Sequence, residues 1–244
     1  RRPPRSTLFP YTTLFRSYGD TLRGNASGNQ LYGAAGNDLI YVGAGTASDR
    51  VDGGSGVDGV SYAYAGSRVN VNLNLTTAQA TGGSGTDTIL NIENLYGSAY
   101  GDTLSGNASG NQLYGAAGND ILNGMGGNDT LNGGAGLDTF VFNTALSAMG
   151  NKDTITDFNV TDDTIQLENA IFTKLTTLGS LATANFCANA TGIATDSNDF
   201  ICYNTTTGAL SYDADGSGVG ASVAFAVLGT TVHPMLTAAD FVIV

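Results

Sequence analysis

Catalytic hardware is what this 244-residue chain has least of. Its one histidine, His233, precedes Pro234 and stands outside any HExxH zinc motif, so it reads as a surface or packing residue. There is no GxSxG elbow, no glycine-rich phosphate loop and no Cys/His pair placed for nucleophilic work, which leaves no catalytic residue to name. Two cysteines are too few for a disulfide framework. Cys187 and Cys202 sit beside Phe186, Ile201 and Tyr203, a setting that favours small buried side chains over a bridge. No apolar run approaches the ~18 residues of a membrane span. Basic residues are scarce as well: nine Lys and Arg stand against 21 Asp and Glu. Four of the nine (Arg1, Arg2, Arg5, Arg16) precede residue 18, leaving five against 21, or −16, from there onward. Such a body is repelled by nucleic-acid phosphates and anionic lipid, and cations are its natural partner. The chain reads as a soluble monomer.

Glycine, by contrast, is abundant, with 35 residues, and it is periodic. From Gly115 to Val141 three nine-residue units run end to end: GAAGNDILN, GMGGNDTLN and GGAGLDTFV. Each has Gly at positions one and four, Asp at six (Asp120, Asp129, Asp138) and a large apolar residue at eight (Leu122, Leu131, Phe140). The glycines permit a tight turn with exposed carbonyls, and the last three residues suffice for one short strand. A turn plus a strand is half a coil, so units two apart stack. Asp102, Asp120 and Asp138, spaced by 18, share one edge, while Asn111 and Asp129 share the other. Parallel strands stack about 4.8 Å apart. Each edge then becomes a file of carboxylate and carbonyl oxygens suited to calcium, with the position-eight residues forming the core.

These units resemble the GGxGxDxUx nonapeptide of RTX proteins, a calcium-binding parallel β-helix repeat. The resemblance implies an all-β fold: a parallel β-roll (a β-helix, or solenoid) of glycine-rich repeats over residues 18–141, followed by a β-rich C-terminal cap over 142–244. It implies several calcium ions held between turns. The matching acids are Asp20, Asp38, Asp49, Asp58, Asp87, Asp102, Asp120, Asp129 and Asp138. The matching turn glycines, whose carbonyls would contribute, are Gly33, Gly36, Gly115, Gly118, Gly124, Gly127, Gly133 and Gly136. Asn29 and Asn111 replace Asp at position six, and Tyr100 replaces Gly at position four, so binding is expected to be weakest there. It is expected to be strongest between Asp120 and Asp138.

The rest of the chain varies this theme. Residues 1–17 differ in composition from everything after them, and Thr7–Ser17 resembles the translation of a sequencing adapter; this arm is set aside as disordered. Tyr18 to Asp38 matches Tyr100 to Asp120 at an offset of 82 except for Arg23 against Ser105, a duplication or a misassembly. Two extra residues before Asp49 should bulge from the coil. Between residues 62 and 81 the repeats give way to Val69, Val71, Leu73 and Leu75 alternating with Asn, which predicts one longer strand continuing the stack.

From Phe142 the glycine period stops. NKDTITDFNVTDDTIQL, with Asp153, Asp157 and Asp163, resembles the segment that closes the roll in serralysin-like proteins, where its acids bind a last ion or form turns. Asp213, Asp215 and Ser217 have EF-hand-like spacing, but position twelve is Ala224, which favours a plain hairpin turn. The terminal DFVIV (Asp240 to Val244) resembles the uncleaved signal read by type I ABC transporters, implying a secreted, extracellular protein. Three readings are open: a calcium-binding module that folds outside the cell; the C-terminal part of a secreted metalloprotease, lipase or polysaccharide epimerase; or an adhesin.

Overall fold

The computed structural model describes residues 6–8, 13–14 and 18–244. The repeat unit folds as its pattern dictates: a turn, then a short strand whose middle residue points inward. Leu104, Leu122, Phe140 and Ile165 stack in register along one wall. Leu95, Leu113, Leu131 and Ile155 do so along the other. All eight are fully buried. At about 1.5–3 kcal/mol for each large apolar side chain, these two columns are the main stabilising contribution of the roll.

The strands form three sheets. One long sheet of twelve strands runs the length of the molecule. Its parallel part takes Thr21–Arg23, Leu39–Tyr41, Gly59–Ser61, Asn94–Tyr96, Gln112–Ala117, Thr130–Ala135 and Asp153–Ile155. Opposite the first half lies a five-stranded sheet containing Gln30–Ala35, Arg50–Ser55 and Gly85–Leu90. Opposite the second half lies a seven-stranded sheet containing Asn70–Asn72, Thr103–Ser105, Ile121–Asn123, Thr139–Phe142, Thr164–Leu167 and Phe241–Ile243. This is the all-β parallel roll that the repeats imply.

Four expectations need correction. The single long strand over 62–81 is two short ones: Asn70–Asn72 and Gln79–Gly82, separated by a turn that leaves Leu75 exposed. Alternation ran past a reversal, because Asn72 and Asn74 form a turn of their own through the Asn72 side chain and the Asn74 N–H. Gln79–Gly82 then pairs antiparallel with Gly85–Leu90. Second, the sheets do not break at residue 142: Asp153–Ile155 pairs with Thr130–Ala135 and Thr164–Leu167 with Thr139–Phe142. Glycine is lost there and the coils lengthen from 18 residues to 24 and 25, yet Ile155 and Ile165 still fill the inward positions, and the core needs only that. Third, Cys187 and Cys202 are bridged. Their strands pair in parallel with the two residues directly opposite, Cα atoms 4.7 Å apart, which the intervening loop had hidden. Finally, two pieces of the arm set aside as disordered, Ser6–Leu8 and Thr13–Leu14, extend the stack as strands; its other residues lie outside those described.

The 82-residue duplication lands on opposite walls. Thr21–Arg23 belongs to the long sheet, whereas its copy Thr103–Ser105 belongs to the seven-stranded sheet. An odd number of half-coils separates the copies, because the excursion over 62–90 counts as one half-coil while adding three strands to one side only.

The last third of the chain folds back on the roll. Val223–Leu228 pairs in parallel with Asp153–Ile155, and the long sheet finishes through Ala209–Tyr212, Ile201–Asn204 and Phe186–Asn189. Among the described residues no helix is long and apolar enough to cross a membrane.

Candidate metal centres along the edges of the roll

Each position-six side chain stands where a turn enters its strand, and from Asp38 onward one oxygen of each position-six acid accepts the backbone N–H of the equivalent residue one coil away. Along the long sheet Asp38 accepts from Asp20 (2.7 Å), Asp58 from Asp38 (2.7 Å) and Glu93 from Asp58 (2.8 Å). That file continues with Asp129 accepting from Asn111 (2.7 Å) and Asp153 from Asp129 (3.1 Å). On the opposite edge Asp102 accepts from Val69 (2.7 Å), Asp120 from Asp102 (2.6 Å), Asp138 from Asp120 (2.9 Å) and Asp163 from Asp138 (3.0 Å). The five-stranded sheet carries a shorter file, Asn29 to Asp49 (2.6 Å) and Asp49 to Asp87 (2.9 Å). The spacing of 18 thus brings together the acids that the sequence assigned to shared edges.

The second carboxylate oxygen differs from site to site. Those of Asp38, Asp58, Asp120, Asp129 and Asp138 are buried and meet no donor. Leaving such an oxygen unpartnered costs about 1–3 kcal/mol, more for a charge, so five in one small protein call for a ligand. Each faces the position-one glycine of its own unit. A Cβ built on Gly53 would lie 2.6 Å from Asp58 Oδ2, and those built on Gly33, Gly115, Gly124 and Gly133 would run into Asp38, Asp120, Asp129 and Asp138. The same Cβ on Gly115 would come within 2.5 Å of the Gly133 carbonyl oxygen on the next coil. Carboxylate and carbonyl therefore converge on a space that glycine alone leaves open. Position-four glycines act through the backbone instead. Gly36, Gly118, Gly127 and Gly136 turn the chain at φ of 130°, 123°, 112° and 150°.

Electrostatics agree with the geometry. Burial, then the charges of Asp102 and Asp138, push Asp120 from 3.8 to about 7. Burial lifts Asp49 to about 6 and raises Asp58, Asp102 and Asp138. At the end of the long-sheet file Asp129 and Asp153 share one site, and burial raises both. Among the described residues the ion pairs comprise Arg50–Asp52 alone, at 3.9 Å. Within that set no protein cation neutralises these files. Nor do three His, Cys, Asp or Glu side chains converge on one point among the described residues, so any ion here would rely on carbonyls for part of its shell.

Other expected ligands sit elsewhere. Asp157 accepts the N–H groups of Gly133 and Gly134 at 3.0 and 2.8 Å, tying the closing segment to a turn. Asp213 and Asp215 lie outside the files, with Asp213 accepting from Asp215 N–H (3.3 Å) and Asp215 from Gly220 N–H (2.9 Å). Glu93 escaped sequence reasoning, although it stands nine residues before Asp102 and eighteen before Asn111. That spacing was the available signal.

An acid-edged parallel roll with glycine-gated carbonyl turns is the architecture of RTX repeats, and residues 16–48 match the RTX calcium-binding nonapeptide repeat family (four copies). Residues 55–243 match the Peptidase M10 serralysin C-terminal family, and the chain belongs to that family. Among solved structures it resembles the extracellular lipase LipA from Serratia marcescens at 14% identity and a TM-score of 0.26, over 100% of this chain and 41% of that one. The chain thus spans less than half the length of that protein. No curated protein matches the chain in sequence.

Proposed function

We propose that this chain is a non-catalytic calcium-binding module that folds when it binds calcium outside the cell and carries a type I export signal at its C-terminus. The observation behind this reading is the set of five buried carboxylate oxygens without donors, each facing a glycine, with a backbone carbonyl of the next coil in the same space at Asp38, Asp58 and Asp120. Unscreened, two carboxylates ~5 Å apart repel by roughly 1 kcal/mol in water and roughly 3 at an effective dielectric of 20. Repeated along the edges, this competes with a typical domain stability of about 5–15 kcal/mol. Calcium reverses the sign, so its binding energy becomes folding energy.

The tail supports export before folding. In the folded chain Phe241–Ile243 pairs with Thr164–Leu167, and Phe241 and Ile243 are buried, so a transporter could read this segment only in an unfolded chain. The family match favours a second statement at the level of the whole protein: this module is the C-terminal part of a secreted enzyme, a peptidase by the family's description. Circular dichroism with and without millimolar calcium tests the central claim. A full β signal in excess chelator at pH 8 would refute coupled folding.

A further inference from the structure

The turns of the roll fall into two kinds. In the first, position two has a positive φ: Ala34 (76°), Gly54 (99°), Ala116 (85°), Met125 (70°) and Gly134 (95°). Each lies four residues before an acid whose second oxygen has no donor, namely Asp38, Asp58, Asp120, Asp129 and Asp138. Every one of these buried bare oxygens follows such a turn; the converse fails at Gly45 (149°), four residues before Asp49, in the turn that carries two extra residues. Rotated this way, the position-two N–H leaves the carboxylate; that of Met125 bonds the Asn123 side chain and that of Gly134 bonds Asp157.

In the second kind the position-two N–H donates to the position-six side chain. Ser98 donates to Asp102 Oδ2 (2.5 Å), and its hydroxyl donates to Oδ1 (2.8 Å). Asn25 donates to Asn29 (2.7 Å), Asn107 to Asn111 (2.8 Å) and Asn159 to Asp163 (2.8 Å). Asp87 reaches the same end with side chains: the Thr81 hydroxyl donates to its Oδ2 at 2.7 Å and the buried Tyr62 hydroxyl at 3.3 Å. Space is not the difference. A Cβ on Gly97 would lie 2.5 Å from Asp102 Oδ2 and 2.6 Å from the Gly115 carbonyl, the same cradle as in an open turn. The donor is what differs: a closed turn puts an N–H where an open one leaves a bare oxygen, and an N–H turned toward the carboxylate repels a cation.

Resting on the calcium reading above, we propose that only the open turns take calcium. Ions then load in two blocks, one at Asp38 and Asp58 and one at Asp120, Asp129 and Asp138. Between them the chain from Tyr62 to Asn111 satisfies its position-six groups with its own donors and holds together without metal. The repeat turns that precede Asp102 and Asp120 therefore act differently, because Ser98 closes one turn and Ala116 opens the other.

The test counts bound calcium on the full chain by native mass spectrometry at pH 8. Asp102→Asn and Asp163→Asn should keep the wild-type number of ions, whereas Asp120→Asn and Asp38→Asn should each lose at least one. Two closed-turn variants are used so that misfolding of one leaves the other to decide. If either folded closed-turn variant loses an ion while the wild type loads normally, the partition is wrong. A wild-type chain that binds no calcium at all would instead overturn the reading beneath it.

Discussion

Replacing Asp120 with Asn should act in opposite directions with and without calcium. The side chain keeps its shape, and Asn Oδ1 can still accept the Asp102 N–H that Asp120 accepts at 2.6 Å. The loss is a charge held between Asp102 and Asp138, with a pKa raised from 3.8 to about 7. At pH 8 without metal, ionising that group costs the folded chain up to about 4 kcal/mol, and relaxation of the turn around the charge lowers this to about 2 kcal/mol. Asp120→Asn should therefore raise the folded-to-unfolded ratio in chelator by roughly 30-fold, read as recovered β signal in circular dichroism. In saturating calcium the same change removes a charged ligand, so the variant should need more calcium to fold and melt earlier. A structural carboxylate that serves only as a hydrogen-bond acceptor would be destabilised by the change in both conditions. Loss of β signal in chelator as well as in calcium would refute the reasoning.

Three further expectations rest on the same geometry. Acidification in chelator should promote folding: a raised carboxyl stabilises the folded state fully below 3.8, and this is lost as pH rises through about 6 for Asp49 and about 7 for Asp120. Each such group changes stability by about 1.4 kcal/mol per pH unit in that window, so a chelated chain with less β structure at pH 5 than at pH 8 would contradict it. Gly115→Ala should cost about 1–3 kcal/mol and weaken calcium-induced folding, because its Cβ would meet the Gly133 carbonyl at 2.5 Å, whereas Gly66→Ala, with nothing within 4 Å, should be silent in the same titration. Reduction of the Cys187–Cys202 bridge, which spans 15 residues, should lower stability by about 3 kcal/mol in the presence of calcium, and an unchanged thermal midpoint under reductant would count against it.

Sequence alone determined the repeat, and through it the roll. A nine-residue period with an apolar residue at position eight can bury that residue only by stacking half-coils, and the spacing of 18 then dictates which acids share an edge. Asp102, Asp120 and Asp138 were legible for that reason, and so were Asn111 and Asp129. Tertiary structure decided whatever depended on long-range register or on a single rotated peptide. Cys187 and Cys202 meet because two consecutive strands align in parallel across the loop between them. The copies containing Asp20 and Asp102 parted to opposite walls because an odd number of half-coils lies between them. Whether the carboxylates of Asp102 and Asp120 keep a bare oxygen turns on the backbone of the residue four before each. Strings that occupy the same place in the repeat, such as GSAYGD and GAAGND, conceal that difference, because a Ser hydroxyl and its N–H can close the turn while an Ala in the left-handed region leaves it open.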